Sequence, residues 1–131
     1  MPGTELRRLL MIDDDIDIQL IARVTLEEMS GFELRVCSDG AEAMLQLAEF
    51  TPDLILLDAM LPGLSGSEIF TVLAANPNTS SIPVVFVTAK SEPDELTALR
   101  ELGALDVIVK PFDPMTLPDT LRALWQRHLS G

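Results

Sequence analysis

The sequence predicts an α/β fold of five βα units, (βα)5, arranged as an open, doubly wound parallel sheet with helices on both faces. Two observations carry this. Short apolar runs alternate with longer segments in which apolar residues recur every three or four positions, and strands alternating with amphipathic helices build a parallel sheet. Three runs, LLMI at 9–12, LILL at 54–57 and VVFV at 84–87, are apolar throughout. A strand reads this way when helices cover both faces of its sheet.

The elements follow in order. The first strand, Leu9–Ile12, runs into Asp13, Asp14 and Asp15. The helix after it carries Leu20, Ile21 and Val24 at helical spacing, with Asp15 and Asp17 placed as capping or solvated acids at its start. Gly31 stands where a C′ glycine belongs. The second run, FELRVC at Phe32–Cys37, alternates apolar and polar, as a strand at the sheet edge does. Its helix carries Met44, Leu47 and Ala48. The third strand, Leu54–Leu57, ends at Asp58, and Ile69, Phe70 and Leu73 mark the third helix. The fourth, Val84–Val87, ends at Thr88; Ser91 and Asp94 read as a capping box for a helix that carries Leu96 and Leu99 and closes at Gly103. The fifth, Val107–Val109, ends at Lys110. The last helix carries Leu117, Leu121, Leu124 and Trp125, with Asp113 as N-cap and Pro114 at its first position. Pro118 interrupts it near its start, so its first turn is expected to be separate or irregular.

The 131 residues suit one domain, 1–131 with a core of about 6–129. No second, effector domain is expected after the terminal WQRHLSG. The formal net charge is −12, which would repel phosphate backbones and disfavours direct nucleic-acid binding. No apolar run approaches the ~20 residues of a membrane span. One cysteine, Cys37, offers no internal disulfide and fits a reducing, cytoplasmic setting; it is expected to be a small buried residue.

In open parallel sheets the ligand crevice lies at the carboxyl ends of the strands. Those ends carry Asp13 and Asp14, Asp58, Thr88 and Lys110. In a flavodoxin-like strand order, 2-1-3-4-5, the three acids crowd one pocket with Thr88 beside them and Lys110 within reach of Asp58. Two like charges about 5 Å apart repel by roughly 3 kcal/mol at an effective dielectric near 20, so such a cluster calls for a cation. Oxygen-only ligands supplemented by water suit Mg²⁺. A lysine, a hydroxyl and a bound cation around one carboxylate describe a phosphoryl site with Asp58 as nucleophile.

These motifs, in this order over nearly the whole chain, resemble a response-regulator receiver domain of the CheY-like type: Asp13-Asp14, Asp58 within LLDAMLPG, Thr88-Ala89 and Lys110-Pro111-Phe112. The resemblance implies a signalling protein rather than an enzyme, one that promotes its own phosphorylation and dephosphorylation. It implies that Asp58 accepts a phosphoryl group from a histidine kinase or histidine phosphotransfer protein. Asp14, Asp58 and the backbone carbonyl of Met60 would be direct Mg²⁺ ligands, and Asp13 would hold the ion largely through water. Lys110 would pair with the phosphoryl group, Thr88 would be the switch hydroxyl, and the Lys110–Pro111 peptide would be cis. The downstream protein target is not legible. One departure stands out: Val107 occupies the position, three before the lysine, where many receivers carry Tyr or Phe. A stiff β-branched side chain offers no ring to swing between two sites, so output is expected to rest on backbone shifts around the fourth helix and fifth strand.

Two other readings remain open at this stage. Asp13-Asp14-Asp15 also matches the Asp-x-Asp of a small haloacid-dehalogenase-type phosphatase, with Asp13 as nucleophile and Thr88 and Lys110 in a suitable order, but no acidic pair follows another apolar strand after Lys110 and Asp58 is left unexplained. A phosphate-independent interaction module is the other. His128 reads as an exposed histidine and Trp125 as helix packing.

Overall fold

A computed structural model describes residues 5–131. Five strands, β1 (Arg8–Ile12), β2 (Glu33–Cys37), β3 (Leu54–Leu57), β4 (Val84–Thr88) and β5 (Asp106–Val109), form one sheet in the order β2-β1-β3-β4-β5. All pairings are parallel. The helices are α1 (Ile16–Ala22), α2 (Gly40–Leu47), α3 (Gly66–Ala75), α4 (Pro93–Glu101) and α5 (Leu117–Ser130). The alternating run FELRVC yields edge strand β2, and the wholly apolar runs lie in the interior strands.

Successive residues of a strand point to opposite faces, so the sheet splits the core in two. Leu9, Met11, Leu54, Leu56 and Val85 pack with Ala22, Leu26, Leu121 and Trp125 on one face. Leu10, Ile12, Ile55, Leu57 and Phe86 pack with Ala43, Ile69, Leu73 and Leu99 on the other. Each such buried side chain contributes about 1.5–3 kcal/mol. This clamping from both sides holds the carboxyl ends of the strands in fixed register.

Several local expectations are corrected. Of the expected stripe, Leu20 and Val24 face solvent and Ile21 is half-buried; α1 buries Ala22 and, beyond it, Thr25 and Leu26. Both series satisfy helical spacing. A π-helical turn over Arg23–Glu28, with Met29 N–H donating to Val24 O at 2.9 Å, follows α1 and adds a residue to its last turn. In α2, Ala43 is buried and Met44 exposed, while Ala48 lies just past the helix end. The Ser91–Asp94 capping box is absent. Glu92 is the N-cap of α4 without a side-chain bond, and Pro93 takes the first helical position, where its missing N–H costs nothing. A reciprocal capping box that the sequence reading missed joins Ser65 and Glu68 at the start of α3, at 3.2 and 3.0 Å. Asp113 caps the separate turn before α5: its carboxylate accepts from Met115 N–H (2.9 Å) and its carbonyl from Leu117 N–H (3.1 Å). Helix α5 then begins at Leu117, with Pro118 in its first turn.

Gly31 and Gly103 adopt left-handed φ values of 78° and 112° after their helices, a conformation other residues resist. The Lys110–Pro111 peptide is cis. Cys37 is buried, and burial, with Glu42 and Asp39 nearby, pushes its thiol up to about 11. Alkylation at pH 8 should therefore run at least about 100-fold slower in the native than in the unfolded chain; a timed iodoacetamide reaction checks this, and equal rates would contradict the burial.

Candidate functional site

The β1–β3 register pairs Ile12 with Leu57, which sets Asp13 level with Asp58. Asp13 N–H donates to Cys37 O and Asp58 N–H to Ile12 O, both at 2.9 Å. Across the sheet Thr88 pairs with Val109, and Lys110 N–H donates to Thr88 O at 2.7 Å. The predicted residues thus stand along one edge, each fixed by the strand that precedes it.

Lys110 Nζ lies 2.8 Å from Asp13 Oδ2 and 3.1 Å from Asp58 Oδ2, within a largely buried trio. The sequence placed it within reach of Asp58; the contact with Asp13, one strand further, is new. Each acid is aimed by a local turn. Asp13 Oδ1 accepts from Asp15 N–H at 2.9 Å and Asp58 Oδ1 from Met60 N–H at 3.0 Å, so both Oδ2 atoms face the lysine. The Asp13 contact is an ion pair, and the Lys110 ammonium is the partner of the buried Asp13 Oδ2 among the described residues.

Burial raises the Asp13 carboxyl above the ordinary carboxylate range; Lys110 and Asp15 N–H pull it down, and the Asp58 charge pushes it up. For Lys110, burial acts downward, but Asp13 and Asp58 outweigh it and raise the ammonium above its usual value. Asp14 stands exposed on the rim. Carboxylate oxygens of Asp13, Asp14 and Asp58 lie within 4.8 Å of one another. One ammonium against three carboxylates leaves the cluster net negative. An oxygen-only donor set with an excess of negative charge fits a hard divalent cation.

Thr88 is wholly buried, and its Oγ1 accepts from Lys90 N–H at 3.1 Å. No bond to Asp58 is present among the described residues. Met60 is placed by its amide, while its side chain is exposed. Asp15 caps α1, accepting from Asp17 and Ile18 N–H. Val107 is buried beside Phe86 and Leu99. His128 lies exposed on the last turns of α5, and Trp125 packs in the core.

Two positioning residues escaped the sequence reading. Gln19 Nε2 donates to Asp13 O (2.6 Å) and Ser38 Oγ (3.1 Å), tying α1 to the ends of β1 and β2; a half-buried glutamine gives no signal in sequence. Gly66 donates to Ala59 O at 3.1 Å. A Cβ there would lie 2.3 Å from Asp58 O and 2.7 Å from Ala59 Cα. The Ser65–Glu68 cap, with glycine as the first helical residue, was the available clue.

An open parallel sheet with a lysine-paired aspartate cluster at its carboxyl edge defines a class of phospho-accepting signalling domains. The family described as response regulator receiver domain matches residues 9–122, and this chain belongs to it. It is 38% identical over 93% of its length to the DNA-binding response regulator MtrA of Mycobacterium tuberculosis, covering 52% of that protein. It is 39% identical over 95% of its length to the phosphate regulon transcriptional regulatory protein PhoB of Pseudomonas aeruginosa, covering 54% of it. The chain therefore spans about half the length of these curated relatives. Among solved structures, the chemotaxis response regulator CheY4 of Vibrio cholerae superposes with a TM-score of 0.82 at 28% identity, over 91% of this chain and 98% of that one. Membership of this family makes the chain a receiver domain of the kind used in phospho-accepting two-component signalling. The dehalogenase-type phosphatase is not favoured: it leaves Asp58 without a role.

Proposed function

We propose that Asp58 is the phospho-acceptor, that Asp13, Asp14, Asp58 and the carbonyl of Met60 hold Mg²⁺, and that Lys110 and Thr88 stabilise the transferred group. The single observation that supports this best is Lys110 Nζ set 3.1 Å from Asp58 Oδ2 and 2.8 Å from Asp13 Oδ2. An Asp58 oxygen attacks the phosphorus of a phosphohistidine on a kinase or phosphotransfer protein. The P–N bond breaks, its electron pair stays with the imidazole, and an acyl phosphate forms on Asp58. Lys110 follows the charge from the carboxylate to a phosphoryl oxygen. Thr88 Oγ1 accepts from Lys90 N–H in the resting state, and its proton remains free to donate to a phosphoryl oxygen; movement of the hydroxyl toward that oxygen would draw the 88–90 loop with it. Bound Mg²⁺ supplies the positive charge that lets an anionic group approach three carboxylates.

The product state is read by an unidentified protein target. Val107, already buried, adds no ring movement, so the readout rests on backbone shifts around α4 and β5. The DNA binding named for MtrA belongs to that protein; the −12 charge of the present chain disfavours contact with phosphate backbones. A cytoplasmic setting is supported by the lone, buried Cys37. No helix among the described residues is long and apolar enough to cross a membrane.

Incubation with radiolabelled acetyl phosphate tests the proposal. Wild type should label with Mg²⁺ and lose labelling in excess chelator, and Asp58→Asn should not label. Equal labelling of Asp58→Asn would refute it. A second outcome concerns the metal. Mg²⁺ at about 100 times its Kd should add about 2.7 kcal/mol to wild-type stability. In Asp14→Ala most of that gain should vanish at the same concentration, while the metal-free melting temperature holds or rises because a repelling charge is gone. Thermal melts with and without Mg²⁺ check this; an undiminished gain would remove Asp14 from the ligand set.

A further inference from the structure

On α2 an apolar stripe faces outward. Ala41, Met44, Leu45 and Ala48 recur at the i, i+3, i+4, i+7 spacing of a helix–helix seam, and all four are exposed, Leu45 by 73%. Beside the stripe, between α2 and α3, runs a groove lined only by apolar residues, among them Met44, Leu64 and Val72; these three are also exposed. Burying this surface in water would be favourable, and the described chain leaves it bare.

The charge around it is one-sided. The segment from Val36 to Ala89 contains no Lys, Arg or His, while it carries Asp39, Glu42 and Glu68 around the groove. Asp39, Glu42 and Glu68 bond to backbone amides of their own helix starts, and none is ion-paired among the described residues. Arg35, the nearest base in sequence, is turned to Gln46 and the Phe50 ring.

We infer that the α2–α3 face is a docking surface for an amphipathic helix of another protein, with an apolar stripe flanked by Lys or Arg. An apolar groove accepts the stripe, and acids without bases at its rim select the basic flanks. The same acids argue against the rival occupants. A second copy would bring its own acid rim against this one, and an anionic lipid surface would be repelled. None of Asp13, Asp14, Asp58 and Lys110 lines the groove, so the contact uses residues other than those of the phosphoryl site.

The test is a titration of the isotope-labelled protein, followed by amide NMR. The probe is a synthetic helix with Leu at i, i+3, i+4, i+7 spacing and Lys elsewhere; its counterpart carries Glu for Lys. The Lys peptide should shift amides of α2, α3 and Leu64, and the Glu peptide should not bind. Leu45→Ser combined with Val72→Ser keeps the charge and should weaken the Lys peptide about tenfold or more. Leu45→Lys alone should weaken it further by adding a base. Shifts gathered around Asp13, Asp14 and Asp58, or unchanged affinity in the serine variant, would overturn the inference. Concentration-dependent dimerisation in sedimentation, abolished by the serine variant, would assign the face to a second copy and overturn it as well.

Discussion

Gly66→Ala is expected to lower the melting temperature by about 10 °C and to slow phosphorylation of Asp58 by about 10–100-fold. The added Cβ would sit 2.3 Å from Asp58 O and 2.7 Å from Ala59 Cα. Both atoms are backbone, so no side chain can swing aside; α3 must slide or the acceptor loop must move. Overpacking of this kind costs about 1–3 kcal/mol, and a rigid backbone clash belongs at the upper end. In a domain of this size that is about 3–5 °C per kcal/mol. The kinetic loss follows because Asp58 is aimed by its own backbone, and misplacement of about 1 Å can cost about 100-fold. Calorimetry and a labelling time course measure the two effects, with Ser67→Ala as a neighbouring control. A variant that melts and labels like wild type would show that α3 is not braced against the acceptor.

Lys110→Ala is expected to destabilise the metal-free protein by about 3 kcal/mol near pH 7. Removing one member of a buried ion pair strands its partners, and here two carboxylates, Asp13 and Asp58, lose the same ammonium. The effect should depend on pH with a definite sign. Burial already raises the Asp13 carboxyl, and Lys110 is among the groups that lower it; without the lysine it rises further. An acid whose folded value lies above its unfolded value holds its proton more tightly when folded. Its stability penalty grows as pH rises from the unfolded value through the folded one, and disappears on acidification below about pH 4. The gap between variant and wild type should therefore be widest at neutral pH and narrow toward pH 4, and Mg²⁺ should recover part of it. Denaturant melts across that range measure it. A gap independent of pH would mean that the lysine acts through its packed stem rather than its charge.

Much of this was legible in sequence for a physical reason. Strands β1, β3 and β4 have both faces covered, so their apolar runs are unbroken and their ends abrupt; β3 falls at Leu54–Leu57 as expected. Because Asp13, Asp58 and Lys110 each follow a strand directly and Thr88 ends one, strand order alone brings them to one edge. What failed depended on information from elsewhere in the chain. The stripes Leu20, Ile21, Val24 and Ala22, Thr25, Leu26 both satisfy helical spacing, and packing on the sheet selects the second. Pro93, not Ser91, sets the start of α4. The requirement at Gly66 comes from Asp58, on another element, and Lys110 reaches past Asp58 to Asp13, a step that strand spacing did not suggest.

The central claim, that Asp58 and no other acid of the cluster receives the phosphoryl group, is tested most directly by locating the acyl phosphate. The protein is phosphorylated with acetyl phosphate and Mg²⁺, reduced with borohydride to convert the acyl phosphate to a stable alcohol, digested and sequenced by mass spectrometry. The modification should fall on Asp58 alone. Modification of Asp13 instead would match the phosphatase chemistry and contradict the assignment, as would an unmodified Asp58 in fully phosphorylated protein.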